Sequence, residues 1–169
     1  RQTEMKNTIN FAVLAAAVIL TGFAARPSGA DEPIVFTVPS VWEYSAPLIA
    51  PERREQDPSR AQKDPTVVFH GGKWHVFMTV KLPGRSAIEY CSFEKWEEAD
   101  RSERTILQVS ESDYYCAPQV FYYSPHEQWY LIYQMGVPGA KFMWVAYSTT
   151  TIIDDPSSWT PVRPILDGR

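Results

Sequence analysis

Two stretches of this sequence repeat each other. Asp64-Pro65-Thr66-Val67-Val68-Phe69 aligns with Ala117-Pro118-Gln119-Val120-Phe121-Tyr122, and Trp74-His75-Val76-Phe77-Met78 aligns with Trp129-Tyr130-Leu131-Ile132-Tyr133. The prolines lie 53 positions apart and the tryptophans 55, a difference that a longer turn absorbs. Each copy is a pair of runs rich in β-branched and aromatic residues around a turn. Thr66–His70 and Trp74–Val80 flank Gly71-Gly72-Lys73, and Gln119–Tyr123 and Trp129–Tyr133 flank Ser124–Glu127. Paired glycines supply the positive backbone angles of a tight hairpin. Further strands are expected at Ala87–Ser92 and Lys141–Ser148, with one helical turn over Glu94–Asp100. No stretch carries a long 3.6-residue apolar period, so the expected fold class is all-β. A repeat of about 40–50 residues holding several short strands is the mark of β-propeller blades. Two unrelated hairpins built from the same residue types are the simpler alternative.

The rest of the chain divides around this repeat. Residues 1–30 hold Arg1–Glu4, which read as lying upstream of an initiator Met5, followed by a secretory signal peptide. The signal consists of Met5-Lys6, the apolar run Phe11–Leu20 and the small-residue stretch Ser28-Gly29-Ala30. The run is short and alanine-rich for a membrane span, so cleavage after Ala30 is expected, and a retained anchor is the alternative. Residues 31–62 are rich in proline and charge and read as an extended lead-in, and 63–169 read as an incomplete propeller domain. Pro164–Arg169 has no tail-like composition, so both ends read as the edges of a fragment. The chain after Ala30 is long enough for two to three blades, whereas propellers close with at least about four. An unclosed array exposes sheet edges and is expected to fold poorly alone. The expected location is secreted, extracellular or periplasmic, without stable membrane association after signal cleavage. Cys91 and Cys116 either pair or are buried free thiols; spacing does not decide.

Charge narrows the partners. The formal net charge is −4, and no Lys/Arg stripe is present to neutralise phosphates, which argues against nucleic acid. An acidic, aromatic-rich chain suits a neutral polymer such as a polysaccharide. His70, His75 and His126 share no metal-ligand spacing. The residue singled out for chemistry is Asp64, beside Lys63 and before Pro65. A carboxylate near the axis end of an inner propeller strand points into the shared cavity, and glycoside hydrolysis usually needs two carboxyl groups. Asp-Pro is also a common turn pair, which is the plainer reading.

The stretch Gln62-Lys-Asp-Pro-Thr-Val-Val-Phe-His-Gly-Gly-Lys-Trp-His-Val-Phe77 resembles the first-blade motif of glycoside hydrolase family 62. Cys116-Ala-Pro-Gln-Val-Phe-Tyr-Tyr-Ser-Pro-His-Glu-Gln-Trp-Tyr-Leu-Ile-Tyr-Gln-Met-Gly136 resembles that family's second-blade motif. Phe93-Glu-Lys-Trp96 and Trp144-Val-Ala-Tyr-Ser148 fall in similar places, so the likeness covers roughly residues 35–169. The resemblance implies a five-bladed β-propeller, of which this chain holds about the first two to three blades. It implies an inverting α-L-arabinofuranosidase acting on arabinoxylan side chains, monomeric when complete. Asp64 matches the family's general base and Lys63 its basic neighbour in the arabinose pocket. Gln134 falls in the family's Tyr-Gln-Trp-Gly stretch near the substrate cleft, where Met135 stands in place of Trp; a stacking platform is thereby lost or moved. The resemblance places the general-acid Glu and the tuning Asp beyond residue 169, leaves Asp167 unassigned, and implies that the chain as given is inactive. No cofactor is required for the chemistry. The family often holds a calcium ion near the axis, for which the resemblance assigns no ligands here. The rivals are a family 43-type arabinofuranosidase or xylosidase, similar in fold and base, and a non-catalytic carbohydrate-binding propeller.

Overall fold

The structure, a computed structural model, describes Val38 and residues 40–166. The signal peptide, its cleavage point and Asp167 lie outside the described residues. Every strand among the described residues belongs to the unit Glu43–Arg169.

Among the described residues, eight strands form two four-stranded antiparallel sheets, each in simple chain order. Sheet one contains β1 (Ala61–His70), β2 (Lys73–Leu82), β3 (Arg85–Phe93) and β4 (Thr105–Ile106). Sheet two contains β5 (Tyr115–Tyr123), β6 (Gln128–Met135), β7 (Trp144–Thr150) and β8 (Arg163–Pro164). The first strand of sheet two packs against β1, β2 and β3. The repeat read from sequence is therefore a repeat of whole sheets. β4 and β8 were not anticipated, because two residues are too few to show an alternation. The expected helical turn is a 3₁₀ turn over Trp96–Arg101. β7 starts at Trp144, not Lys141: its register with β6 ends at Met135 opposite Trp144, and Lys141–Met143 belong to the preceding loop.

Burial reflects how many faces each sheet covers. β2 is buried without a break from His75 to Val80, since one face meets sheet two and the other meets the lead-in and the 3₁₀ turn. On that outer side Trp96 packs on Trp74 and Phe93, with ring centroids 5.6 and 4.9 Å apart. β6 instead alternates: Trp129, Leu131 and Tyr133 are buried while Tyr130 and Ile132 are only half so. One-sided burial gives this two-residue period. On the open side Phe121, Tyr130 and Tyr147 stack across three strands, with centroid separations of 5.7 and 5.8 Å. By the repeat, Phe121, Tyr130 and Ile132 correspond to Val68, His75 and Phe77, which in sheet one lie on the face that sheet two covers.

Two interior features hold sheet one to its neighbours. Glu89, fully buried on β3, accepts from Arg54 Nη1 at 2.7 Å, from Gln62 Nε2 at 3.3 Å and from Arg104 Nη1 at 3.4 Å. This ties the lead-in, the start of β1 and the chain after the 3₁₀ turn to one carboxylate. On the opposite face, His75 is also fully buried, its Nδ1 2.9 Å from the Tyr90 hydroxyl and its Nε2 3.2 Å from the His70 carbonyl. Both contacts suit a neutral ring that donates from Nε2 and accepts at Nδ1.

Burial pushes the His75 imidazole below its ordinary value of 6.5; the His70 carbonyl and the Asp154 carboxylate oppose the shift, and the charges of His70 and Lys73 add to it. The folded chain thus holds fewer protons here than the unfolded chain. Stability is highest above about pH 6.5 and falls as the pH drops from there toward the folded value. Melting temperatures measured from pH 7.5 to 5 are expected to show this decline, and His75→Gln to flatten it. An identical decline in the variant would assign it to other groups.

Both cysteines are buried and free, Cys91 on β3 and Cys116 on β5, which settles the alternative left open by their spacing.

Candidate active site

The strand β1 begins at Ala61, so Lys63 and Asp64 lie inside it and not at its start. The pairing of β1 with β2 passes from Lys63 opposite Thr79 to Thr66 opposite Phe77, so one extra residue is inserted. This is a β-bulge, a device that re-aims a side chain and bends its strand. The inserted turn puts Asp64 at φ 52, in the left-handed region, immediately before Pro65. Sheet two repeats the device: β5 slips between Cys116 and Gln119, with Ala117 at φ 55 before Pro118. Asp tolerates this region better than most side chains because its short polar group bonds locally. The two bulges are structural equivalents, and only the first bears a carboxylate.

That carboxylate is held on one oxygen. Asp64 Oδ2 accepts from Thr79 Oγ1 at 3.3 Å, and the Lys63 ammonium stands 3.7 Å away. The Thr79 hydroxyl is itself held by the Ala117 amide at 2.7 Å, so the second bulge braces the first. Thr79 is buried at 2% exposure, whereas the Asp64 side chain is 40% exposed and that of Lys63 62%. Asp64 is therefore anchored from below and open above.

Its neighbours Lys63 and Thr79 help line a cavity of about 310 Å³, together with Gln62, Lys81, Ser86 and Tyr114. Tyr114 has a firmly placed backbone: its carbonyl accepts from the Gly136 amide at 2.7 Å and from Ser112 Oγ at 3.2 Å. The neighbouring Cys116 side chain raises the pKa of its hydroxyl above the ordinary tyrosine value, with smaller contributions from burial and the Asp64 charge.

The four residues expected at the site divide into two pairs. Lys63 and Asp64 are together. Gln134 and Met135 lie on sheet two, where Gln134 is exposed opposite Cys116 and Met135 pairs with Tyr115. Among the described residues no hydrogen bond joins either to Lys63 or Asp64. Met135 instead lines a cleft of about 820 Å³ with Val109, Glu111, Val137 and Pro161 among its walls. Thr79 and Tyr114 were not identified as site residues from sequence. The signal for Thr79 was a hydroxyl in the middle of the otherwise apolar run Val76–Val80; Tyr114 carried none beyond being aromatic. Among the described residues no group of three or more His, Cys, Asp or Glu is placed to hold a metal ion.

A partly exposed carboxylate, hydrogen-bonded through one oxygen and flanked by an ammonium group, has the chemistry of a proton acceptor. The chain belongs to the family described as Glycosyl hydrolase family 62, whose model matches residues 45–169. A similar curated protein is alpha-L-arabinofuranosidase C of Cellvibrio japonicus, 33% identical over 133 residues, covering 78% of this chain and 19% of that protein. Among solved structures, the catalytic domain of the Coprinopsis cinerea family 62 α-L-arabinofuranosidase aligns with TM-score 0.64 and 35% identity, covering 73% of this chain and 37% of that one. The Podospora anserina α-L-arabinofuranosidase in complex with cellotriose aligns at 0.61 with 30% identity, covering 70% and 36%. A family 62 hydrolase in complex with xylotriose aligns at 0.60 with 35% identity, covering 69% and 34%. The chain thus spans little more than a third of these structures.

Proposed function

We propose that the complete protein is an exported, inverting α-L-arabinofuranosidase that removes L-arabinofuranose side chains from arabinoxylan, with Asp64 as general base. The observation that carries this reading is the Asp64 bulge: a strained backbone position presents a carboxylate, braced below and open above, within a family 62 chain. In a single displacement Asp64 takes a proton from water as that water attacks the anomeric carbon. A second carboxyl, outside the described residues, protonates the leaving xylan oxygen, about 6.5–9.5 Å from the first. Lys63, 3.7 Å from the base, is assigned to binding a sugar hydroxyl. Gln134 and Met135 are assigned to the polymer side of the cleft, where the ring of a Trp platform is absent. Xylotriose and cellotriose in the two solved relatives support a β-linked glycan backbone as the polymer bound.

The same reading completes the fold. The open aromatic face of sheet two carries the residue positions by which sheet one receives sheet two, so it is assigned to the next blade of a five-bladed propeller. The complete protein is then a monomer, and residues 1–30 are its upstream and signal segment.

The test is incubation of the protein, expressed from its whole reading frame, with arabinoxylan, following free sugar and the first-formed anomer by NMR. Release of arabinose with inverted configuration is expected. Xylose release would favour a xylosidase, retained configuration a covalent intermediate, and binding without release a carbohydrate-binding propeller.

A further inference from the structure

We infer that Thr79 is a positioning residue for the base and that sheet two, through the Ala117 amide, directs its proton; the inference rests on Asp64 being that base. An amide nitrogen only donates, so the 2.7 Å contact from Ala117 N makes Thr79 Oγ1 an acceptor there. The hydroxyl has one proton, and the partner left for it is Asp64 Oδ2 at 3.3 Å. At 2% exposure Thr79 has little access to water that would compete for either bond. A β-branched side chain in a strand has few rotamers, which fixes the direction of the hydroxyl.

The consequence is an assignment of the two carboxylate oxygens. Oδ2 faces Thr79 and Lys63, whereas no protein hydrogen bond among the described residues reaches Oδ1. Oδ1 is therefore the oxygen that meets the attacking water, and the chain Ala117 N–H to Thr79 O–H to Oδ2 sets its direction. The second sheet contributes no carboxylate at its own bulge; it uses that bulge to orient the carboxylate of the first. The base geometry is complete only when the two sheets are docked.

The experiment compares Thr79→Val, which keeps the shape and removes the hydroxyl, with Thr79→Ser, which restores it, and with Asp64→Asn, all in the complete protein. Thr79→Val is expected to lower kcat about 10–100-fold with KM nearly unchanged, the scale of a misplaced catalytic group. Thr79→Ser is expected to recover kcat, even where its melting temperature falls. If Thr79→Val does not fold, Thr79→Ala serves as the hydroxyl-free variant. A hydroxyl-free variant that keeps kcat while Asp64→Asn is inactive would overturn the positioning role and leave the base intact. So would a loss of kcat that Ser does not rescue. An active Asp64→Asn would instead remove the base reading and this inference with it.

Discussion

Replacing Asp64 with Asn in the complete protein is expected to reduce arabinose release by about 10²–10⁴-fold, the contribution of a positioned general base. The fold should survive the change. Asn tolerates the left-handed backbone region that φ 52 requires, and its carbonyl oxygen still accepts from the Thr79 hydroxyl. The variant lacks the negative charge and the capacity to take a proton from water. Lys63 loses its partner, but an exposed ion pair contributes only about 0–1 kcal/mol, so the melting temperature should scarcely move. Specific activity on arabinoxylan and thermal melting, measured on the same preparations, separate these effects. Activity within a few-fold of the parent would take Asp64 out of the mechanism.

The second large effect is structural and lies on the opposite face of sheet one. Glu89→Ala is expected to destabilise the protein by about 3 kcal/mol, because Arg104 and Arg54 lose their buried carboxylate and keep only the more exposed Asp100 and Glu52. Arg104 is 2% exposed and Arg54 22%, and both guanidinium groups point at a carboxylate with no exposure at all. Removing Glu89 also leaves the Gln62 side chain, one residue before Lys63, with only the Ala50 carbonyl, so the start of β1 loses one of two anchors. Lys73→Ala provides the contrast: its pair with Asp154 is exposed on both sides at 3.5 Å, and its loss should cost under about 1 kcal/mol. Denaturant midpoints for the two variants should differ widely. Equal, small shifts would mean that the buried triad does not hold the lead-in to the sheet.

Much of the architecture was legible because it is written in local pattern. Gly71-Gly72 between β-rich runs fixes a hairpin from backbone geometry alone, and both glycines have positive φ, at 57° and 83°. The 53-residue spacing of Pro65 and Pro118 marked a repeat, and the two prolines prove to follow two equivalent bulges. Asp64 stood out as a carboxylate beside Lys63 and before Pro65 at the entry to a β-rich run, a pattern that turns share, and the resemblance to family 62 is what singled it out as a base.

Tertiary structure alone decided the features that depend on partners distant in the chain. A bulge is a mismatch between two strands, so it exists only once β1 meets β2 and cannot be read from either. Whether Cys91 and Cys116 pair depends on how two sheets dock, and they stay free. Thr79 looked like one more strand residue until the Ala117 amide, 38 positions away, was brought within 2.7 Å of its hydroxyl. Glu89 likewise gains meaning only from Arg54, 35 positions earlier, and Arg104, 15 later. Sequence by itself determined the paired hairpins and their repeat, because those follow from the conformational preferences of neighbouring residues, and the family resemblance singled out the Asp64 carboxylate. Tertiary packing decided which way that carboxylate points and what braces it, because hydrogen bonds between sheets form only where docking excludes water and brings distant donors and acceptors into reach.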